Sequence, residues 1–92
     1  MQTVVIEHRP ELGRFQALID GKLCVADYRR AGDVMNMAHT EVPASLEGRG
    51  IAAALVREAL AYARANGLKV NPLCSYVRLY MQRHPETLAL RA

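Results

Sequence analysis

Between Val34 and Leu60 an extended apolar run, Val-Met-Asn-Met-Ala-His-Thr-Glu-Val, meets a turn holding Gly48 and Gly50. The chain then passes at once into the helical pattern Ile-Ala-Ala-Ala-Leu-Val-Arg-Glu-Ala-Leu. Glycine lets the backbone approach a ligand closely, and the first turn of a helix leaves N–H groups without intrahelical partners. With the positive end of the helix dipole, those donors make an anion site, suited above all to a pyrophosphate.

The remaining chain bounds what such a junction can serve. Ninety-two residues make one domain, which buries roughly 60–65% of its unfolded surface and gains stability from a ligand or partner. No apolar run approaches the roughly 20 residues of a membrane span. The start Met1-Gln2-Thr3-Val4 lacks a basic leader and runs into Glu7, so no signal peptide is expected and a cytoplasmic location is. A net charge of +3 is spread over scattered Lys and Arg, without the basic stripe and stacking aromatics of a nucleic-acid binder. Cys24 and Cys74 share no metal-ligand spacing with each other or with His8, His39 and His84. Both are expected as free thiols, with no metal bound.

Periodicity gives the order of elements. Thr3–His8 reads as a first strand and Arg9–Gly13 as a turn. Arg14–Ile19 alternates as a second strand, with Phe15, Ala17 and Ile19 on one face. Asp20-Gly21 is a strong hairpin signal, returning as a third strand over Lys22–Arg30, with Cys24, Ala26 and Tyr28 on one side. Val34–Val42, apolar on both faces, reads as a central strand covered on both sides. Pro43 ends it, and a helix is expected from Arg49 to Asn66, stopped by Gly67. Leu68–Leu73 forms a fifth strand, parallel to the fourth by right-handed crossover. Ser75 then caps a second helix carrying Val77, Tyr80, Met81 and His84, which Pro85 closes. The expectation is an α/β (α+β) fold, an antiparallel meander followed by strand–helix–strand–helix.

Glu47-Gly48-Arg49-Gly50-Ile51-Ala52 resembles the pyrophosphate motif Gln/Arg-x-x-Gly-x-Gly/Ala of the GNAT superfamily of N-acyltransferases. Thr40-Glu41-Val42-Pro43 ahead of it, and Pro72-Leu73-Cys74-Ser75-Tyr76 with His84-Pro85-Glu86 behind it, are similar to a subfamily of very small GNAT-like acetyltransferases. The resemblance implies a minimal GNAT-like fold whose fourth and fifth strands splay apart. The pantetheine arm of acetyl-CoA then pairs with Thr40, Glu41 and Val42, and the amides of Gly48, Arg49, Gly50, Ile51 and Ala52 cradle the pyrophosphate. Glu47 departs from the motif by setting a negative charge beside a diphosphate, which Arg49 compensates if it turns toward the ligand.

The same resemblance carries the role of general acid onto Tyr80, through Leu79-Tyr80, although its position beside Val77 and Met81 suits core packing equally well. His84-Pro85 departs from the family continuation. An amine nucleophile must first lose a proton, at a cost of about 4.6 kcal/mol for a lysine at pH 7 and about 1 kcal/mol for an α-amino group. His39 and Glu41, alternating on one face of the fourth strand, are the candidate bases, against the alternative of solvated surface groups. Cys74 sits before a helix start, where a thiol pKa falls. It is either an acyl acceptor or a small buried hydrophobe, while Cys24 is structural.

Family members usually insert two helices between the first two strands, where this chain has only Arg9–Gly13. An open acceptor groove is therefore expected, or one completed by a partner, suiting an amine on a protein or peptide. The assembly expected is a monomer or weak homodimer. The function implied is acetyl-CoA-dependent N-acetyl transfer. The alternative is a CoA-binding or interaction module with little turnover. A phosphate-loop nucleotide binder fits poorly, since Gly50-Ile51-Ala52 lacks the Gly-Lys-Ser/Thr step.

Overall fold

A computed structural model of the chain describes residues 4–92. Five strands lie in the order β1 (Glu7–Arg9), β2 (Arg14–Ile19), β3 (Lys22–Ala31), β4 (Val34–Glu41), β5 (Lys69–Pro72). The first four pair antiparallel and β5 runs parallel to β4. Helices α1 (Ile51–Ala65) and α2 (Ser75–Arg83) complete the predicted meander and strand–helix–strand–helix unit. The first strand is shorter than expected, and its Thr3 lies outside the described residues. Val4 and Ile6 still pack on the core ahead of it. Helix α1 starts two residues later than Arg49, because Gly50 takes the left-handed φ of 76° and becomes its N-cap.

One face of the sheet carries the core. Phe15, Ala17 and Ile19 of β2, Cys24, Ala26 and Tyr28 of β3, and Met35 and Met37 of β4 pack against Ile51, Leu55, Ala59 and Ala63 of α1 and Val77 and Met81 of α2. Among the described residues, no helix lies on the opposite face. Leu18 is 69% exposed and Leu23 45%, and β4 is buried only at alternate positions. A β4 covered on both sides is therefore not what forms. Both helices follow β4, and both pack into the same core cluster. The open face is instead closed by polar pairs. Arg14 Nε donates to Asp27 Oδ1 at 2.7 Å, Gln16 Nε2 to Glu7 Oε1 at 2.9 Å, and Asn71 Nδ2 to Asn36 Oδ1 at 3.0 Å.

A bulge in β4 positions the site. Tyr28 pairs with Met37, but Asp27 pairs with His39, so Ala38 is the extra residue. Side-chain direction alternates along a strand, so one added residue exchanges the faces beyond it. Thr40 thereby joins the helix-covered face beside Ala26, whereas His39 and Glu41 lie on the open one.

Candidate functional site

Strands β4 and β5 stay in register from Val34–Lys69 to Met37–Pro72. The Cys74 N–H still reaches the Met37 carbonyl at 2.9 Å. Past that point β4 runs on to Glu41 without a β5 partner, since Pro72 ends β5 and the chain turns into α2. The gap exposes strand-edge backbone along Ala38–Glu41, which is what a ligand with amide groups needs for pairing.

At the mouth of this gap is a cavity of about 470 Å³, lined from β4 by Thr40 and Glu41, from the glycine turn by Glu47, Gly48 and Gly50, and from α2 by Tyr76. Val42, Ile51 and Ala52 border it as well. Gly48 and Gly50 adopt φ of 84° and 76°, a region that costs an L side chain roughly 1 kcal/mol or more. A Cβ built on either meets no atom within 4 Å. Their freedom thus serves the shape of the turn, and the space beside them stays open for a ligand. No side chain caps α1 and no acidic residue stands in its first turn. The N–H of Ala54 bonds the Gly50 carbonyl at 3.0 Å, and the first-turn donors before it have no intrahelical acceptor. An anionic group of pyrophosphate type fits this cradle.

Most of the residues expected to hold a ligand converge here, but Arg49 does not. Its Nη1 is 3.0 Å from Asp20 Oδ2 of the β2–β3 hairpin. Compensation of Glu47 by Arg49 required that side chain to turn toward the ligand; here its guanidinium is paired with Asp20 instead. His39 Nε2 lies 3.0 Å from Glu41 Oε1, a pair held on the open face by the bulge.

Cys74 is half-buried, with its Sγ 3.6 Å from Thr40 Oγ1, so that it bridges the strand gap. It is also the N-cap of α2, the position expected for Ser75. Burial pushes its thiol up, but hydrogen bonds from the Val77 and Tyr76 backbone and from Thr40 together pull it below its ordinary value. Cys24 is fully buried, and desolvation pushes its thiol up.

Tyr80 is directed elsewhere. It stacks on His84 with ring centroids 4.0 Å apart and lines a second cavity between α1 and the C-terminal segment. The tyrosine at the first cavity is Tyr76, which sequence reasoning passed over. Its place in the first turn of α2, two residues past Cys74, is the signal that could have found it. Burial, and then the neighbouring Tyr80, raise its hydroxyl above the usual value, with Arg83 opposing, so it stays protonated at neutral pH.

The sequence pattern of the GCN5-related N-acetyl-transferase family matches residues 14–90. The chain belongs to this family. Similar relatives include Protein NATD1 of Mus musculus, 31% identical over 83 residues, covering 87% of this chain and 76% of that protein. Protein NATD1 of Homo sapiens is likewise 31% identical over 83 residues, covering 87% of this chain and 74% of its own length. The NMR solution structure of a GCN5-like protein from Staphylococcus aureus superposes with a TM-score of 0.78 at 23% identity. It covers all of this chain and 91% of its own. The GNAT fold is thus shared, and membership of the family assigns acyl transfer as the general chemistry.

Proposed function

We propose that the chain transfers an acetyl group from acetyl-CoA to an amine. The observation that carries this is the coincidence, around one cavity, of an unpaired strand edge and a glycine-turn helix start without a side-chain cap, with the Cys74 thiol beside the cavity residue Thr40. The strand edge at Thr40–Val42 pairs with the pantetheine amides, and the backbone of Gly48–Ala52 receives the diphosphate. The amine nitrogen attacks the thioester carbonyl, the C–S bond breaks, and the CoA thiolate takes up a proton. Glu41, backed by His39, removes the amine proton directly or through a water. Tyr80 is the acid that the family resemblance suggests, but the cavity lining supports Tyr76 in that role. Cys74 either lines the thioester site or takes the acetyl group first, its thiolate displacing CoA. The uncovered sheet face beside His39 and Glu41 favours an amine on a protein or peptide, and the two free thiols suit a reducing, cytoplasmic setting.

Replacing Gly50 by Asp places bulk and charge where backbone must meet the diphosphate. Calorimetry should then read CoA binding weaker by more than tenfold, about 1.4 kcal/mol. Unchanged binding in a folded Gly50→Asp protein would overturn the assignment. The absence of any wall over the acceptor side also favours a second reading, a CoA-binding module with little turnover. That reading predicts tight CoA binding with negligible thioester loss for every amine and lysine peptide offered.

A further inference from the structure

The second cavity, about 290 Å³ in volume, lies between α1 and the segment that follows α2. Its floor is apolar, with Leu60 and Leu90 both buried. One wall is the stacked pair Tyr80 and His84. Tyr80 as a residue is 9% exposed; its hydroxyl keeps contact with solvent and has no hydrogen-bond partner among the described residues, and the charged groups acting on it are Arg57 and Glu86. His84 Nδ1 is bonded to the Tyr80 carbonyl at 2.8 Å, which leaves Nε2 for another partner.

Arg57 and Arg64 border the same cavity. They lie seven residues apart on α1, on one face and about 10 Å apart along the axis. Neither forms an ion pair among the described residues; Arg64 donates only to the Glu86 carbonyl, at 3.1 Å. Glu86 is the one carboxylate lining the cavity, against two guanidiniums. An apolar slot with a solvent-accessible hydroxyl and two cations without carboxylate partners is complementary to an anion carried on a flat apolar body. The volume sets the size. A cavity of about 150 Å³ already holds benzene, and drug-sized sites begin near roughly 300 Å³, so the ligand is small.

We propose that this cavity binds a small organic anion, a planar apolar group bearing a carboxylate or phosphate, with Arg57, Arg64 and the Tyr80 hydroxyl receiving the charge. As a site for a free acid it stands independently of the acyl-transfer reading; as a site for the nucleotide end of CoA it rests on that reading. It is linked to that reading mechanically, because α1 and α2 each bear on the first cavity at their N-terminal ends and on this one further along. The charged group could belong to a free acid or to the nucleotide end of CoA, whose phosphates share this chemistry.

The test is an amide-resolved NMR titration of the full chain with benzoate. Benzylamine, of the same shape and opposite charge, serves as comparator, and adenosine 3′,5′-bisphosphate as a further arm. Benzoate should shift Leu60, Ala61, Thr87 and Leu90 while the glycine turn stays still, and benzylamine should not. In the double variant R57Q/R64Q, whose side chains are exposed, affinity should fall at least about tenfold. If the bisphosphate moves the same amides in competition with benzoate, the anion comes from the nucleotide; if it does not, from a separate acid. No shifts at these amides with either anion, equal shifts with benzylamine, or full affinity in the double variant would each overturn the proposal.

Discussion

Two thiols of one chain are driven in opposite directions by their surroundings. Cys24 is sealed beneath the sheet, where desolvation pushes its thiol up, whereas Cys74 stands at the N-cap position of α2, where the neighbouring Val77 and Tyr76 backbone and Thr40 outweigh burial and pull its thiol down. Alkylation by iodoacetamide should therefore label Cys74 far faster than Cys24, with a midpoint on the acid side of an ordinary thiol. Equal labelling of both in the folded protein would show that the helix start does not activate Cys74. The same residue decides between the two transfer routes. Incubation with acetyl-CoA and no amine should leave one acetyl group on Cys74, detectable by mass spectrometry, if the covalent route operates. Near-normal turnover in Cys74→Ala would leave direct attack.

At the scale of elements, the glycine turn is tied to the β2–β3 hairpin by Arg49 and Asp20. Asp20 has a φ of 51°, a left-handed conformation that Asn tolerates as well. Asp20→Asn should thus preserve the hairpin while releasing the guanidinium toward the diphosphate. CoA affinity should rise by a few tenths to about 1 kcal/mol, a gain that salt erodes. A fall in affinity would mean that the hairpin tether itself shapes the turn. The fork between β4 and β5 depends on a second tie, the half-buried Asn36–Asn71 contact across the parallel pair. Asn71→Ala leaves the Asn36 carbonyl oxygen without this donor and should cost about 1 kcal/mol. That corresponds to a melting temperature lower by about 4–8 °C, and calorimetric melting would read it directly.

The molecule as a whole is a single-sided sandwich, and its edges are guarded differently. At the β5 side, Arg91 bridges Val70 and the Ala92 N–H meets the Val70 carbonyl at 2.9 Å, so the C-terminal residues cover that edge. At the β1 side, His8 stacks on Phe15 at 4.0 Å, meets Tyr62 edge-on at 4.4 Å and hydrogen-bonds the Tyr28 hydroxyl at 2.6 Å. Burial lowers the His8 pKa below its usual 6.5, with Glu11 opposing. As pH falls below about 6.5, the unfolded chain takes up this proton before the folded one does, so stability should decline with falling pH. The decline should cease once the folded state is protonated too. His8→Phe should flatten the denaturation-midpoint curve between about pH 6.5 and 5, above the range in which ordinary carboxylates titrate. An unchanged slope in that variant would assign the effect to another group.

Strand and helix identities follow from local pattern. The alternation of Phe15, Ala17 and Ile19, the Asp20-Gly21 hairpin, the spacing of Ile51, Leu55, Ala59 and Ala63, and the stop at Gly67 are each written within a few neighbouring residues, which is why they were legible. The glycine cradle was legible for the same reason, since Gly48 and Gly50 shape the backbone where they stand. What the chain's own pattern could not express is any outcome decided between segments distant in sequence. Ala38 is an ordinary residue until β3 sets the register against it, and the bulge that follows turns Thr40 to one face and His39 and Glu41 to the other. Arg49 pairs with Asp20, 29 residues away, because folding brings the hairpin beside the turn. Tyr80 and Tyr76 both belong to α2, and only the packing of that helix against α1 sends one to the second cavity and the other to the strand gap. Local sequence determined the elements and the glycine turn; tertiary contact decided which side chains face each cavity, because direction in space is a property of packed neighbours.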